Sequence, residues 1–234
     1  MRFDGMIFDI EGTLIDCVPQ TLSSLHDTLR EWGLSVPYET LQLYSGLDGD
    51  ETLKIIAPSL TGEERKRLKA ADGEDYEKRY LPTVRAFAGV KELFKIIKAE
   101  GGSIALATDC KGAPLKVYRS LLGVDDLIDH VACGEDVEKG KPDPGLVRLA
   151  VEKLRLPAAR CVMIGDTPYD AEAAVGVNLI KCEAQLGRVG QLFCVAGKNA
   201  DVCAPRVIMA TGLIDNRPDI EGFETGADSI AASR

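Results

Sequence analysis

Met6-Ile7-Phe8-Asp9-Ile10-Glu11-Gly12-Thr13-Leu14 begins as a short apolar run, stops at a carboxylate and passes into a glycine-containing loop. The same figure recurs twice further on: Ile104-Ala105-Leu106-Ala107 stops at Thr108, and Val162-Met163-Ile164-Gly165 stops at Asp166. Unbroken apolar runs of this length, bounded by turn residues, suit strands buried on both faces, as in a parallel sheet covered by helices. In such sheets ligands bind beyond the carboxyl ends of the strands. Asp9, Thr108 and Asp166 are therefore expected to converge on one small volume, together with Lys141 from a later loop.

Working outward, Pro19 to Trp32 carries Leu22, Leu25, Leu29 and Trp32 at helical spacing, with Pro19 suited to the first turn and Gly33 to the stop. Residues 38 to 45 and 50 to 57 read as two short helices, the first broken at Ser45-Gly46 and the second ended by Pro58. Thr61-Gly62-Glu63-Glu64 has the form of a capping box and opens a charged helix expected to reach about Tyr80. No strand signal falls between Asp16 and Arg85, so this stretch reads as an all-helical insertion, with Leu81 to Phe87 as the return hinge. From Gly89 helices and strands alternate, the rhythm of a doubly wound parallel sheet. One helix places Val90, Leu93, Phe94 and Ile97 on a face, and the next Leu115, Tyr118, Leu121 and Leu122; a strand is expected near Val131-Cys133. Pro144 starts a helix with Leu146, Val147, Ala150 and Leu154 inward. After Asp166 the helix through Asp170-Val175 looks short, Asn178-Cys182 reads as a strand, and residues 183–215 show no clear period. Residues 226–230 offer a faint further strand signal. The expected architecture is α/β: a Rossmann-like core from residues 1–15 and 88–234, with a helical cap at 16–87.

The chain has 234 residues, 45% apolar and 28% charged, with a formal net charge of -9. That composition fits a globular protein, and the absence of any long apolar run argues against a membrane protein. The acidic balance argues against general nucleic-acid binding, which needs basic patches. Met1 to Gly5 leaves no room for the regions of a signal peptide, so a cytoplasmic location is expected. The seven cysteines form no C-x-x-C pair and read as reduced, packed thiols. His26 and His130 read as structural, and Lys141, taken alone between Gly140 and Pro142, reads as a solvated loop lysine.

The loop Asp9-Ile10-Glu11-Gly12-Thr13 resembles motif I of the haloacid dehalogenase-like hydrolases, whose phosphatases commonly carry D-x-D-G-T. Thr108 then stands at motif II, Lys141 at motif III, and Gly165-Asp166-Thr167-Pro168-Tyr169-Asp170 at motif IV. The resemblance extends over residues 3 to about 175, and the helical insertion falls where small-cap, phosphoglycolate phosphatase-like members place their cap. It implies Mg2+ held by Asp9, Asp166 and the Glu11 carbonyl, with Asp170 acting through water or orienting Lys141. Thr108, Asp109 and Lys141 would then line the phosphoryl group, and Gly46, beside Tyr44 and Leu47, would meet the leaving group.

The residue types support this independently. A carboxylate that takes a phosphoryl group and yields it to water splits one hard step into two, and Mg2+, a hard cation with oxygen ligands, offsets the repulsion between the two anions. Asp9 is the candidate nucleophile, Glu11 the candidate acid and base, and Lys141 the candidate to offset developing charge. Glu11 replaces the more common Asp; the D-x-E-G-T form is similar to motif I of enolase-phosphatases. Asp109 stands where a neutral Ser or Asn is common, and repels substrate unless it points away. The expected activity is Mg2+-dependent hydrolysis of a small phosphorylated metabolite through an aspartyl-phosphate, by a monomer or homodimer. A phosphoryl mutase like β-phosphoglucomutase and a catalytically silent binding relative are the alternatives.

Overall fold

The computed structural model describes residues 3–177 and 179, and three strands at 184–189, 192–197 and 200–204. In chain order the first elements are β1 (Gly5–Phe8), β2 (Ile15–Asp16), α1 (Val18–Glu31), α2 (Tyr38–Leu43), α3 (Gly49–Ile56) and α4 (Gly62–Asp75). They are followed by β3 (Arg85–Ala86), α5 (Val90–Ala99), β4 (Ser103–Thr108), α6 (Gly112–Leu122), β5 (His130–Cys133), α7 (Gly145–Leu154), β6 (Cys161–Ile164) and α8 (Pro168–Val175).

Four strands form a parallel sheet in the order β5-β4-β1-β6. The chain builds outward from β1 to β4 and β5, then returns to add β6 on the other side of β1. This reversal opens a crevice at the carboxyl ends of β1 and β6, where open α/β sheets bind their ligands. Alternation along the strands divides the core in two. Phe8, Ile104 and Leu106 face one way and pack with Phe94, Ile97, Tyr118 and Leu122 of α5 and α6. Ile7, Ala105, Ala107 and Ala132 face the other way and pack with Leu146, Val147 and Ala150 of α7 and with Ala173 of α8. The second face is built from small side chains, which lets α7 lie close. At Gly5 a Cβ would sit 2.8 Å from the Cys161 sulfur and 3.0 Å from Leu154, so the glycine is required by this approach. The doubly wound parallel sheet expected from the sequence is therefore present.

Between β2 and β3 the chain is helical, with its own apolar cluster of Leu22, Leu29, Leu41, Leu53 and Leu68. The capping box at the start of α4 forms reciprocally: Glu64 N–H donates to Thr61 Oγ1 at 3.3 Å, and Thr61 N–H to Glu64 Oε2 at 2.8 Å. The helix does not run on to Tyr80 in α form. It ends at Asp75, and Tyr76–Tyr80 forms a π-helical turn, a wider coil that recurs at functional sites. The two crossings between helical block and sheet are tied together by an antiparallel ribbon, Ile15 opposite Ala86 and Asp16 opposite Arg85. Strands of two residues leave no periodic signal, and the sequence pattern offered only a hinge.

Leu121, assigned to the inner face of its helix, is 43% exposed; Leu115, Tyr118 and Leu122 do turn inward. Cys110, Cys133 and Cys161 are buried free thiols, as expected. Residues 184–204, which showed no period, carry three antiparallel strands β7 (Ala184–Val189), β8 (Leu192–Gly197) and β9 (Ala200–Ala204). Their register pairs Val189 with Leu192 and Gly197 with Ala200. The strand expected at Asn178–Cys182 and the signal at 226–230 lie outside the described residues, apart from Leu179, which is buried and not in a strand. Among the described residues no helix is long and apolar enough to cross a membrane.

Candidate active site

Asp9 follows β1 directly and is almost fully buried. Its N–H donates to the Ile164 carbonyl at 2.9 Å, which continues the β1–β6 ladder one residue past the strand and fixes the carboxylate at the crevice. Gly12 lets the loop turn back beside β6: its φ is +80°, and a Cβ there would lie 2.2 Å from Asp166 Oδ2. Thr13 then donates its hydroxyl to Asp166 Oδ1 at 3.1 Å. Gly165 is needed for a parallel reason, since a Cβ would fall 2.3 Å from Asp170 Cγ.

Lys141 is the cation at the centre. It is 4% exposed, and its Nζ donates to Asp9 Oδ1 and to Asp170 Oδ1, both at 2.6 Å. The bland reading of a solvated loop lysine is overturned by partners that lie 132 and 29 residues away in sequence. Burial alone would lower its pKa, but Asp9, Asp170 and Asp109 outweigh burial and hold it above the ordinary range. For Asp9, burial pushes the carboxyl well up, Lys141 pulls it down, and Asp170 and Asp166 push it up again. Burial, with Asp170 beside it, moves Asp166 up to about 6.

Asp9, Asp166 and Asp170 each offer an oxygen within 4.8 Å of the others. This is a hard, anionic, all-oxygen donor set of the kind that suits Mg2+. Asp170 differs from the other two in its commitments. One of its oxygens receives Lys141, and the other receives Thr167 N–H at 3.0 Å and Thr167 Oγ1 at 2.7 Å in the capping box of α8. Asp9 and Asp166 each have one oxygen in a side-chain hydrogen bond, Asp9 Oδ1 with Lys141 and Asp166 Oδ1 with Thr13, and the Glu11 carboxylate does not join the group.

A cavity of about 70 Å³ opens among Asp9, Glu11, Gly46, Asp109, Lys141 and Thr167. The structure thus gathers most of the residues singled out in the sequence. Glu11 Oε1 accepts from the Tyr118 hydroxyl at 3.3 Å. Burial, reinforced by Asp109 and Asp166 and opposed by Lys141 and Tyr118, moves the Glu11 carboxyl up to about 7. Asp109 accepts the Lys141 backbone N–H at 3.1 and 3.3 Å, and so braces the loop that carries the lysine. Gly140 must be small for this, because a Cβ would sit 2.4 Å from Asp109 Oδ1. Thr108 is fully buried; its Oγ1 accepts Cys110 N–H at 3.1 Å, a bond that leaves its own proton free to donate.

Gly46 comes from the helical block, with φ at +83° and its Cα pressed on Thr167, where a Cβ would lie 2.4 Å from Cγ2. Thr167, Tyr118 and Thr13 were not singled out as site residues. Of these, Thr167 had a readable signal, because T-x-x-D at the mouth of a helix is a capping pattern. His26 stays structural, edge-on to Tyr38 with ring centroids 5.9 Å apart.

The parallel sheet thus gathers carboxylates and a buried lysine at its switch point. The family described as haloacid dehalogenase-like hydrolase matches residues 6–182, and the chain belongs to that family. It is 32% identical over 182 residues to a phosphoglycolate phosphatase of Nitrosospira multiformis, covering 73% of this chain and 78% of that protein. A hydrolase structure from Pseudomonas syringae superposes with a TM-score of 0.69 at 27% identity, over 75% of this chain and 82% of that one. A putative beta-phosphoglucomutase from Bacteroides vulgatus, 23% identical over 76% of this chain and 73% of its own, shares the fold with a TM-score of 0.67.

Proposed function

We propose that this chain is a Mg2+-dependent phosphatase that hydrolyses a small phosphomonoester through a phosphorylated Asp9. The observation that carries the reading is Lys141, buried at 2.6 Å from both Asp9 and Asp170 on the floor of a cavity that Glu11 also lines. Mg2+, when bound, would neutralise the anionic phosphoryl oxygens beside Asp9, and Asp9, Asp166 and the Glu11 carbonyl would hold it. In the first step an Asp9 oxygen attacks phosphorus while the bond to the leaving oxygen breaks, and protonated Glu11 gives its proton to that oxygen. In the second step the Glu11 carboxylate takes a proton from water as the water oxygen attacks phosphorus. The Asp9–phosphorus bond then breaks, and inorganic phosphate is released. Lys141 offsets charge on the equatorial oxygens in both steps, and Asp170 keeps it aimed.

The helical block of residues 16–87 acts as the cap, with Gly46 closing over Thr167. The substrate class is a small phosphorylated metabolite, in keeping with relatives named phosphoglycolate phosphatase. A cytoplasmic location is part of the same reading.

The test is release of inorganic phosphate from a panel of phosphorylated metabolites, with Mg2+ and with chelator. Asp9→Asn should abolish release while circular dichroism stays native. Unchanged turnover in that variant would overturn the reading, and an isomerised product on addition of a bisphosphate would place the chain with the mutases instead.

A further inference from the structure

Tyr118 and Tyr76 form a hydrogen-bonded pair that no step above has used. Tyr118 lies on α6 against the sheet and is fully buried; Tyr76 opens the π-helical turn at the end of the helical block and is 7% exposed. Their hydroxyls are in direct contact, so a polar bridge joins the helical block to the sheet through the apolar cluster around Phe8, Cys17 and Leu81. Two tyrosines packed in a core satisfy each other only in part. The pair holds two O–H donors, one is used between them, and the second needs an acceptor. Among the described residues the carboxylate acceptor in reach is Glu11 Oε1, 3.3 Å from the Tyr118 oxygen, with the Cys17 thiol, a weak acceptor, beside the same hydroxyl. The direction of donation follows for the Glu11 carboxylate: Tyr76 to Tyr118, and Tyr118 to Glu11.

Glu11 has reason to need such a partner. It carries one more torsion than Asp, so its carboxyl sweeps a wider arc unless something fixes it, and loss of aim near 1 Å is costly for proton transfer. A tyrosine locked in a core is a rigid anchor. At 3.3 Å the bond is long for a hydroxyl donor, and the Tyr76 hydroxyl on its far side restrains and polarises it.

We propose that Tyr118, backed by Tyr76, is a positioning residue for Glu11, aiming its carboxyl into the cavity and tying that aim to the seating of the helical block on the sheet. The proposal rests on the phosphatase reading, in which Glu11 is acid and base.

Its test compares Tyr118→Phe and Tyr76→Phe with the parent on two substrates in Mg2+. A simple alkyl phosphate needs its leaving oxygen protonated, whereas 4-nitrophenyl phosphate does not. Tyr118→Phe should lower kcat on the alkyl phosphate by about 10- to 100-fold with KM within about 3-fold. The pre-steady-state burst of nitrophenolate should stay within about 3-fold of the parent, since that step needs no acid. Tyr76→Phe should move the same parameters in the same direction by less. In a Glu11→Gln background, Tyr118→Phe should add nothing further.

A structural role would slow the nitrophenolate burst as much as turnover of the alkyl phosphate, or act equally with Glu11→Gln present, and either result overturns the proposal, as does unchanged kcat on the alkyl phosphate. If the parent releases phosphate from neither substrate, the phosphatase reading fails and takes the proposal with it. If the parent is active and Glu11→Gln matches it, the acid-base role of Glu11 fails while the role of Asp9 stands.

Discussion

Replacing Lys141 with Met keeps an unbranched chain of similar length in the same channel and removes only the ammonium. The structure lets the cost be reasoned through. The ammonium is 2.6 Å from Asp9 Oδ1 and from Asp170 Oδ1, and all three side chains are nearly inaccessible to water. Removing one partner from a buried ion pair typically costs about 3–5 kcal/mol, because the remaining charge has neither water nor counter-ion. Here two carboxylates are stranded together, so the upper part of that range applies in the metal-free protein. The cost should depend on pH in a definite sense. Asp9 and Asp166 already have carboxyl pKa values raised in the folded state. A raised carboxyl favours folding below its unfolded pKa, and that contribution is lost as pH rises through the folded value. Loss of Lys141 raises these groups further, so the deficit should be largest above about pH 7 and shrink toward about pH 5 as the carboxyls protonate. The assay is denaturant unfolding of parent and Lys141→Met in chelator at both pH values, with m-values compared so that only the midpoint carries the difference. Adding Asp170→Asn should return about 1–2 kcal/mol, since one of the two stranded charges is gone. A deficit below about 1 kcal/mol at the higher pH, or one that grows in acid, would refute the reasoning.

Other consequences can be checked separately. Gly46→Ala puts a methyl group 2.4 Å from Thr167 Cγ2 at a φ of +83°; kcat/KM should fall by about 10-fold or more with at most about 2 kcal/mol lost in stability, and Thr167→Ser in the same chain should restore part of it. Unimpaired kinetics in Gly46→Ala would mean that this approach plays no part in turnover. Asp72 is held up to about 6, chiefly by burial, although it accepts the Ser24 hydroxyl at 2.6 Å. Its contribution is favourable below about pH 4 and lost as pH rises through 6, so Asp72→Asn should stabilise the protein at about pH 8 by on the order of 2 kcal/mol and have no effect in acid; a lower melting temperature at pH 8 contradicts this. Mg2+ at about 100 times its dissociation constant should add about 2.7 kcal/mol to stability by mass action. Asp166→Asn, which removes one oxygen of the cluster, should shift that thermal titration to at least about 10-fold higher Mg2+, and an unshifted curve would place the cation elsewhere. Glu11→Asp restores the commoner motif but draws the carboxyl further from a Tyr118 hydroxyl already 3.3 Å away. Its kcat should fall by about 10-fold, and a gain would count against a site fitted to the longer side chain.

The parallel sheet was legible because strands buried on both faces must be apolar without interruption, and each such run ends where the chain leaves the sheet. That is why Asp9, Thr108 and Asp166 could be placed at one edge from residues alone. Most helices were legible from their period, and α4 from its capping box. What escaped were features fixed by contacts distant in the chain. The β2–β3 ribbon has two residues per strand, too few for any period. The switch from α to π geometry falls at Tyr76, whose hydroxyl meets Tyr118 of α6. Leu121 shares the apolar character of its neighbours but is largely exposed, while Leu115, Tyr118 and Leu122 turn inward.

In the site the division follows the same line. Each motif taken singly has an ordinary reading, and what excludes it is the pairing between motifs: Asp166 with Thr13 across 153 residues, Lys141 with Asp9 across 132. Asp109 makes the point most sharply. Beside a phosphoryl group a third carboxylate is a liability, and from sequence it argues against catalysis. Once its oxygens are seen to accept the Lys141 backbone N–H, the same charge becomes the brace of the loop that delivers the cation. Glu11 follows the same logic in reverse, since its extra methylene is a loss of aim only if nothing meets the carboxyl. The sequence places Tyr118 correctly on a buried helix face and is silent on its hydroxyl, because hydropathy treats a tyrosine as its ring. The length of the residue at position 11 and the presence of a hydroxyl at position 118 are therefore one structural choice, written at two places that no local pattern connects.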